Sequence, residues 1–518
     1  MKKTPFFDTI ELYHTVILIS MKGVFIMKLN LSTYKDKVKA CWIGKNIGGT
    51  MGGPYEGKRE LLDVKGFVSK KGEPLPNDDL DLQLVWLHAL ENVGPNNINA
   101  STLGEFWLSF IPPHWNEYGV GKANMRRGLI PPLAGDYDTT WRDSNGAWIR
   151  TEVWACSAPA LPEVAAKFAI EDAKVDHGAG EGTFAAAFVA AMQSAAFVLG
   201  NIEDCIEVGL SAIPAECRIA KSIKLVLDCY KDGKSWVEAR NTVLETNMDI
   251  GNGWFEAPSN VAYTVIGLMY GEGDFKKSML TAINCGDDTD CTAATVGATM
   301  GILYGTEKIP SDWAEYIGDY IVTISLAQGG VGKTFPKTCS ELSWRVSEIA
   351  PAVLGAHNGQ HWYRKEYTVC LSDTDDIPDN IKELFIKQVG KKSRASLEKL
   401  KDYTMHFEEA FLTADVTLST PEISPLGEVK VHVDLGAKQC YENQQHTVSL
   451  RWLLPEGFSV SGRQSVFIPR KDRHTNQETS LDFVITAGER IAPENRVVLE
   501  VTSHGRHTAM YISFVLLG

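Results

Sequence analysis

The chain has 518 residues, enough for two or three domains with at least one sizeable core. Its 51 Lys and Arg stand against 65 Asp and Glu, a formal charge of −14 that repels phosphate backbones and excludes a general nucleic-acid binder. With 44% hydrophobic and 22% charged residues, the composition is that of a globular protein, neither disordered nor fibrous.

The first 27 residues carry Lys2, Lys3 and the apolar run Val16 to Ile19. The run is short, His14 interrupts its approach, and no small-residue cleavage site follows, so this is not the pattern of a signal peptide. Residues 1–27 read as a dispensable leader, with translation expected to begin at Met27. No stretch reaches the roughly 18 apolar residues of a membrane span. The ten cysteines form no Cys-x-x-Cys pair, which fits a reducing, cytoplasmic compartment better than a disulfide framework or a zinc ribbon.

Residues 31 to about 350 read as helix after helix, with Ala, Leu and Met at helical spacing and loops rich in Gly, Pro, Asn and Asp between them. The first notable loop, Gly48 to Gly57, surrounds Glu56 with glycines. It is either a flexible turn or a place where backbone passes close to a ligand and presents one carboxylate. Asn77-Asp78-Asp79-Leu80-Asp81 then opens a helix expected over Asp78–Glu91. Asn is a good N-cap and Asp in the first turn complements the helix dipole, so capping alone accounts for this cluster taken by itself.

The loop Ile111 to Gly146 and its flank hold Trp115, Tyr118, Trp141, Trp148, Arg126, Arg127 and Arg150. Such groups can stack a base and pair a phosphate, or simply pack a core. Further helices are expected over Pro162–Asp172, Thr183–Leu199 and Ala215–Tyr230. The stretch Asp176 to Thr183 places Gly178 and Gly180 before a helix start, where free N–H groups suit a phosphate and equally suit a turn.

The second acidic cluster, Asp287-Asp288-Thr289-Asp290-Cys291, opens a helix over Thr292–Tyr304 that carries Ala293, Gly297, Gly301 and Gly305 at four-residue intervals. That smooth stripe lets another helix approach closely and places this helix at the domain centre. Three carboxylates at the mouth of a central helix repel one another unless a cation compensates. Two such clusters supply the oxygen ligands of magnesium or manganese. With Asp78, Asp79 and Asp81 they would bring six negative charges to one site.

Residues 361–400 read as a connector carrying one strand and one or two exposed helices, with the Lys-rich stretch Lys387 to Lys401 as a solvated face. From about Tyr403 the pattern becomes alternating Val, Thr, Phe and Tyr. Strands are expected over Val416–Ser419, Val429–Val433, Thr447–Leu453, Leu481–Thr486 and Val497–Val501, which suggests a β-sandwich. The predicted organisation is a leader at 1–27, a helical domain at 28–360, the connector and a β-sandwich domain at 401–518.

Three of these pieces, in this order and at these separations, resemble the ADP-ribosylglycohydrolase family. Its pattern is Gly-Asp-Ala-x-Gly-x-x-x-Glu, then Thr-Asp-Asp-Thr at a helix start, then Gly-Asp-Thr-Asp-Thr before an Ala-rich, Gly-spaced helix. This chain offers Gly48 to Glu56, Asn77-Asp78-Asp79-Leu80 and Asp287 to Cys291, and the resemblance runs from about Tyr34 to Gly305. It implies a mainly α fold, an all-α orthogonal helical hydrolase domain ahead of the β-sandwich. It also implies two divalent cations, usually Mg2+ with Mn2+ as the alternative, gripping the ribose of an ADP-ribosyl group. By position, Asn77, Asp78, Asp79, Asp288 and Asp290 would be metal ligands, and Glu56 would reach the metal site and the anomeric region of the substrate as the expected acid/base group, with Asp288 or Asp79 as the alternative. His177, Gly178, Gly180 and Glu181 would contact substrate near its diphosphate or distal ribose. Three departures stand out: Asn77 replaces a threonine, Cys291 replaces another, and Gly49 replaces an aspartate. A hydrolase of a nucleotide-free glycoside and a non-catalytic nucleotide-sugar binding module are the alternatives, and the partner of the β domain is open.

Overall fold

The computed structural model describes residues 26–250, 255–326, 335–358, 368–438, 441–471 and 479–518. Nearly all of the expected leader and Cys440 lie outside them. Two compact units emerge: residues 1–112, 143–173 and 181–398 form one, and residues 113–142, 174–180 and 399–518 the other.

The first unit is helical. Strand β1 (Ile26–Asn30) pairs in parallel with β2 (Thr368–Ser372), burying Met27 and Leu29 on alternate positions. Asn30 then caps the first helix, Leu31–Gly52, its side-chain oxygen accepting from the N–H groups of Ser32 and Thr33. The expected helices are found at Asp78–Val93, Pro162–Ala173, Glu181–Ala195, Arg218–Lys231 and Thr289–Tyr304. In the last of these every residue from Thr289 to Leu303 is buried. A helix buried all round has no polar face, as a central position requires. The connector carries β2 and a helix at Ile381–Val389, whose Ile381, Phe385 and Val389 are buried. Among the described residues no helix is long and apolar enough to cross a membrane.

The second unit is an antiparallel β-sandwich. One sheet has the order β3 (Thr404–Glu409), β4 (Leu412–Leu418), β5 (Glu428–Ala437), β9 (Thr479–Thr486), β7 (Ser459–Ser461). The other runs β11 (Ala509–Leu517), β10 (Glu494–Ser503), β6 (His446–Leu453), β8 (Ser465–Ile468). Both contribute to one core, Val416, Val431 and Phe483 from the first meeting Val497, Leu499 and Phe514 from the second. The chain before residue 143 joins this core through Leu129 and Leu133. The composition shift near residue 400 does not announce that contribution.

Candidate active site

The site is built on the crossing of the first helix with the Thr289–Tyr304 helix. A Cβ placed on Gly44 would fall 2.1 Å from the carbonyl oxygen of Gly297, one on Gly48 2.2 Å from that of Ala293, and one on Gly52 2.2 Å from that of Thr289. The two backbones therefore touch at one-turn intervals, which only residues without side chains allow. Past Gly52 the chain turns through Gly53–Tyr55 and is pinned to the second acidic cluster. Gly57 donates to the carbonyl of Asp287 at 2.8 Å and Asp287 donates back to that of Lys58 at 2.7 Å. Thr289 Oγ1 donates to Gly52 O at 2.8 Å. Glu56, exposed, is thus held over the start of the central helix.

Two overlapping sets of donors result. Glu56, Asp288 and Asp290 have carboxylate oxygens within 4.8 Å of one another, and so have the ligand atoms of Asp79, Asp290 and Cys291. Asp290 belongs to both. Asp79, Asp288 and Asp290 are buried, and each keeps one oxygen without a hydrogen-bond partner: Asp79 Oδ2, Asp288 Oδ1 and Asp290 Oδ1. Their other contacts fix orientation. Asn145 Nδ2 donates to Asp288 Oδ2 at 2.7 Å and is itself held by Trp148 Nε1 at 2.9 Å. Cys291 Sγ donates to Asp79 Oδ1 at 3.2 Å.

Unpaired buried carboxylates are costly. Asp290, then burial, then Asp78 push Glu56 up to about 8. Burial and the neighbouring carboxylates hold Asp79 and Asp288 well above the ordinary aspartate range. A constellation of this kind has the ligand atoms to hold a cation.

Two of the six clustered aspartates are engaged elsewhere. Asp81 accepts the N–H groups of Ile324 at 2.6 Å and Ser325 at 2.8 Å, and Asp287 lies 3.5 Å from Arg59 Nε. Asn77 does both less and more than expected. Its Oδ1 caps the Asp78–Val93 helix through the N–H of Asp79 at 2.8 Å, while its Nδ2 is buried without a partner. A Cβ on Gly49 would fall 1.6 Å from that Nδ2. The two departures from the family pattern therefore fit one another, the missing side chain at 49 making room for the amide at 77. Asp78 is half-buried beside them.

Sequence reasoning missed an internal cation. Lys45, fully buried, lies 3.1 Å from Glu152, also fully buried, and donates to Ile149 O at 2.7 Å. Burial opposes its charge, but Glu152 and Asp79 together hold its pKa above the ordinary lysine value. Gln83 ties the pair to the site, donating to Glu152 Oε2 at 2.6 Å and to the carbonyl of Asp79 at 2.9 Å. The available signal was a lysine four residues after Cys41, in the glycine-rich second half of a helix whose other charges, Lys35, Asp36, Lys37 and Lys39, lie in its first half.

The remaining predicted contacts have structural partners. His177, Gly178 and Gly180 belong to the β unit, where His177 Nδ1 pairs with Asp176 at 2.8 Å. Gly178 has φ +52, and a Cβ there would fall 1.9 Å from Asp136 Oδ1; one on Gly180 would fall 2.2 Å from Arg142 O. Glu181, in the helical unit, accepts from the N–H groups of Arg218 at 2.7 Å and Ile219 at 2.9 Å. Arg150 is core: it pairs with Asp172 at 2.9 Å and lies 4.9 Å from the ring centroid of Trp107.

No curated protein matches the chain. Among solved structures it is similar to an "ADP-ribosylglycohydrolase-related protein complex", 18% identical, covering 62% of this chain and 98% of that one, with a TM-score of 0.39. It is also similar to a FixG-related protein from Vibrio parahaemolyticus, 10% identical over 20% of this chain and 94% of that one, TM-score 0.17. A third likeness is to the yeast GGA1 GAE domain, 9% identical over 22% of this chain and 99% of that one, TM-score 0.16. These structural scores are too low to argue from. The sequence family model is a different matter. It matches residues 30–339, more than half of the chain, and spans both acidic clusters and the glycine-lined crossing that joins them. The chain belongs to the ADP-ribosylglycohydrolase family.

Proposed function

We propose that the chain is a divalent-cation-dependent glycohydrolase that cleaves the bond between the anomeric carbon of an ADP-ribosyl group, or of a related ribosyl N- or O-glycoside, and its acceptor. The observation that carries this reading is the array around Asp290, whose ligand atoms lie within 4.8 Å of those of Glu56 and Asp288 in one set and of Asp79 and Cys291 in the other, while Asp79, Asp288 and Asp290 each keep an oxygen without a hydrogen-bond partner. These residues fit a cation site: hard oxygen donors converge, and the lysine beside them, Lys45, is shared with Glu152. Asp79, Asp288 and Asp290, with Asp78 beside them, would hold the cations, and two per chain match the two donor sets. When bound, Mg2+ or Mn2+ supplies ligation of the ribose hydroxyls and acidifies a bound water.

The chain's own residues do the rest. Glycoside cleavage passes through an oxocarbenium-like transition state and needs a proton moved at the anomeric centre. Glu56 is the exposed carboxylate of the set, held by the Gly57 and Lys58 backbone bridges to Asp287, and serves as the acid/base group. Asn145 orients Asp288, and Lys45 sets the field beneath Asp79. Nine described cysteines are free, which supports a reducing, cytoplasmic setting.

The test is a magnesium-dependent screen over ADP-ribosylated arginine, serine and DNA ends and over simple N- and O-glycosides. Release of free ADP-ribose is expected; sugar release only from a nucleotide-free glycoside would overturn the substrate class. Glu56→Gln should nearly abolish turnover with Mg2+ affinity largely kept, and full turnover in that variant refutes its role.

A further inference from the structure

We infer that the two cation positions around Asp290 are chemically unlike: the Asp79–Asp290–Cys291 set takes a thiophilic divalent cation such as zinc or cobalt(II), and the Asp288–Asp290 pair, with Glu56 beside it as the acid/base group, a hard one such as magnesium. The inference rests on the cation-dependent reading of the same site and adds to it a division of labour between the two positions.

Three observations carry it. The sulfur of Cys291 lies within 4.8 Å of ligand oxygens of both Asp79 and Asp290, so the thiol is part of the constellation. Asp79 Oδ2 and Asp290 Oδ1, on residues 0% and 7% exposed, are unpartnered, which is the arrangement of a donor set awaiting an acceptor. The 3.2 Å between Cys291 Sγ and Asp79 Oδ1 also suits ligation. A tetrahedral cation with sulfur at about 2.3 Å and a carboxylate oxygen at about 2.1 Å sets the two donors about 3.6 Å apart, so ligation replaces the S–H···O contact with an opening of about 0.4 Å.

The donor chemistry then decides the ion. A thiolate selects zinc, cobalt and similar ions, whereas carboxylates alone suit magnesium, calcium and manganese. Three protein ligands is the number a catalytic-type zinc site takes from its protein. Position 77 does not reverse the choice, because its oxygen is engaged in the helix cap. Ligation is balanced simply: the Cys291 S–H bond breaks, its proton goes to solvent, and the sulfur lone pair forms the bond to the cation. Burial and the carboxylates of Asp288, Asp79 and Asp290 hold the free thiol well above its ordinary range, so the thiolate forms only with the cation bound, and the dipole at the helix N-terminus offsets little of that.

The experiment uses the full chain after chelation, with Co2+ as the probe. A sulfur-to-cobalt charge-transfer band is expected in the wild type and is lost in Cys291→Ser, which distinguishes this thiol from the other cysteines. Cys291→Thr should weaken Zn2+ by at least the ~10–100-fold that even an outer-sphere partner is worth, with Mg2+ affinity kept. No band in the wild type, a band that survives in Cys291→Ser, or unchanged Zn2+ affinity in Cys291→Thr overturns the inference. Zinc K-edge X-ray absorption on the wild type needs no variant: one sulfur in the zinc shell is expected, and an oxygen-only shell overturns it. An intact band with no ADP-ribose release under any metal would instead defeat the glycohydrolase reading alone.

Discussion

Gly48→Ala tests the crossing on which the site is built. The added Cβ would fall 2.2 Å from Ala293 O, 2.3 Å from its carbonyl carbon and 2.5 Å from the nitrogen of Ala294, where ordinary contact begins at 3.4 Å. Relief therefore requires 3.4 − 2.2 = 1.2 Å of separation, and because every contacting atom is backbone, no rotamer change can supply it. Overpacking of this kind costs up to ~3 kcal/mol, against ~1 kcal/mol gained because alanine is the better helix former, leaving a net loss of ~2 kcal/mol. The helical unit has roughly 360 residues, so its unfolding entropy is about 0.8 kcal/mol/K and the melting temperature should fall by ~3 °C. The same displacement shifts the start of the central helix, which carries Asp290 and follows Asp288, so Mg2+ affinity measured by calorimetry should fall as well. Gly355→Ala is the control, since it sits in a helix with nothing within 4 Å of its Cβ and should stabilise by ~0.5–1 kcal/mol. If Gly48→Ala melted and bound Mg2+ like the wild type while the control behaved as stated, the close-packed crossing would be wrong.

Lys45→Met should destabilise the chain by ~3–5 kcal/mol, because it leaves the fully buried Glu152 carboxylate without its charge partner. Lys45→Met with Glu152→Gln removes both charges and should recover most of that loss in denaturant titrations. A single variant as stable as wild type would show that Glu152 carries no charge. In the β unit, burial raises Asp136 to about 6 against the N–H bonds it accepts from Ala179 and Tyr403. A carboxyl whose pKa is higher folded than unfolded binds its proton more tightly in the fold. Its stabilisation is therefore full below the unfolded value of 3.8 and lost as pH rises through about 6. Asp136→Asn should flatten that stretch of the stability curve, and an unchanged slope between pH 4 and 6 would argue against it.

The two acidic clusters and the glycine stripe were legible because helix caps, carboxylates and small residues at four-residue spacing each leave a local signature. The strands β4, β5, β6, β9 and β10 alternated clearly enough to be placed. Strand β11 was not, because Phe514 to Leu517 are buried in succession and a continuous apolar run hides the two-residue period. Lys45 was missed because it is the fourth lysine of a helix that also carries Lys35, Lys37 and Lys39, and its partner Glu152 lies over a hundred residues away. The contribution of Leu129 and Leu133 to the sandwich core is likewise a long-range fact with no local trace. Asp81 and Asp287 were counted with the site because sequence gives adjacency but not direction. In a helix first turn, neighbouring side chains diverge by about 100° per residue, so Asp79 and Asp81 point to different surroundings.

The charge balance of the site leads to a last prediction. Lys45 supplies one positive charge near Asp79 and shares it with Glu152, so it offsets the carboxylates of Asp79, Asp288, Asp290 and Glu56 only in part. Folding this array without cations must therefore be opposed by mutual repulsion, and cations that bind only the folded state should add stability by mass action. At a hundredfold excess over Kd this is ~2.7 kcal/mol, which for the helical unit corresponds to a rise of ~3–4 °C in melting temperature. Asp288→Asn removes a charge from the centre of the array. It should raise the melting temperature of the chelated chain above that of chelated wild type and abolish most of the rise on adding Mg2+ or Mn2+. If chelation left wild-type melting unchanged, or if Asp288→Asn destabilised the chelated chain, repulsion among these carboxylates would not be what the cations relieve. The array would then be held together by the hydrogen bonds from Asn145 and Cys291 alone.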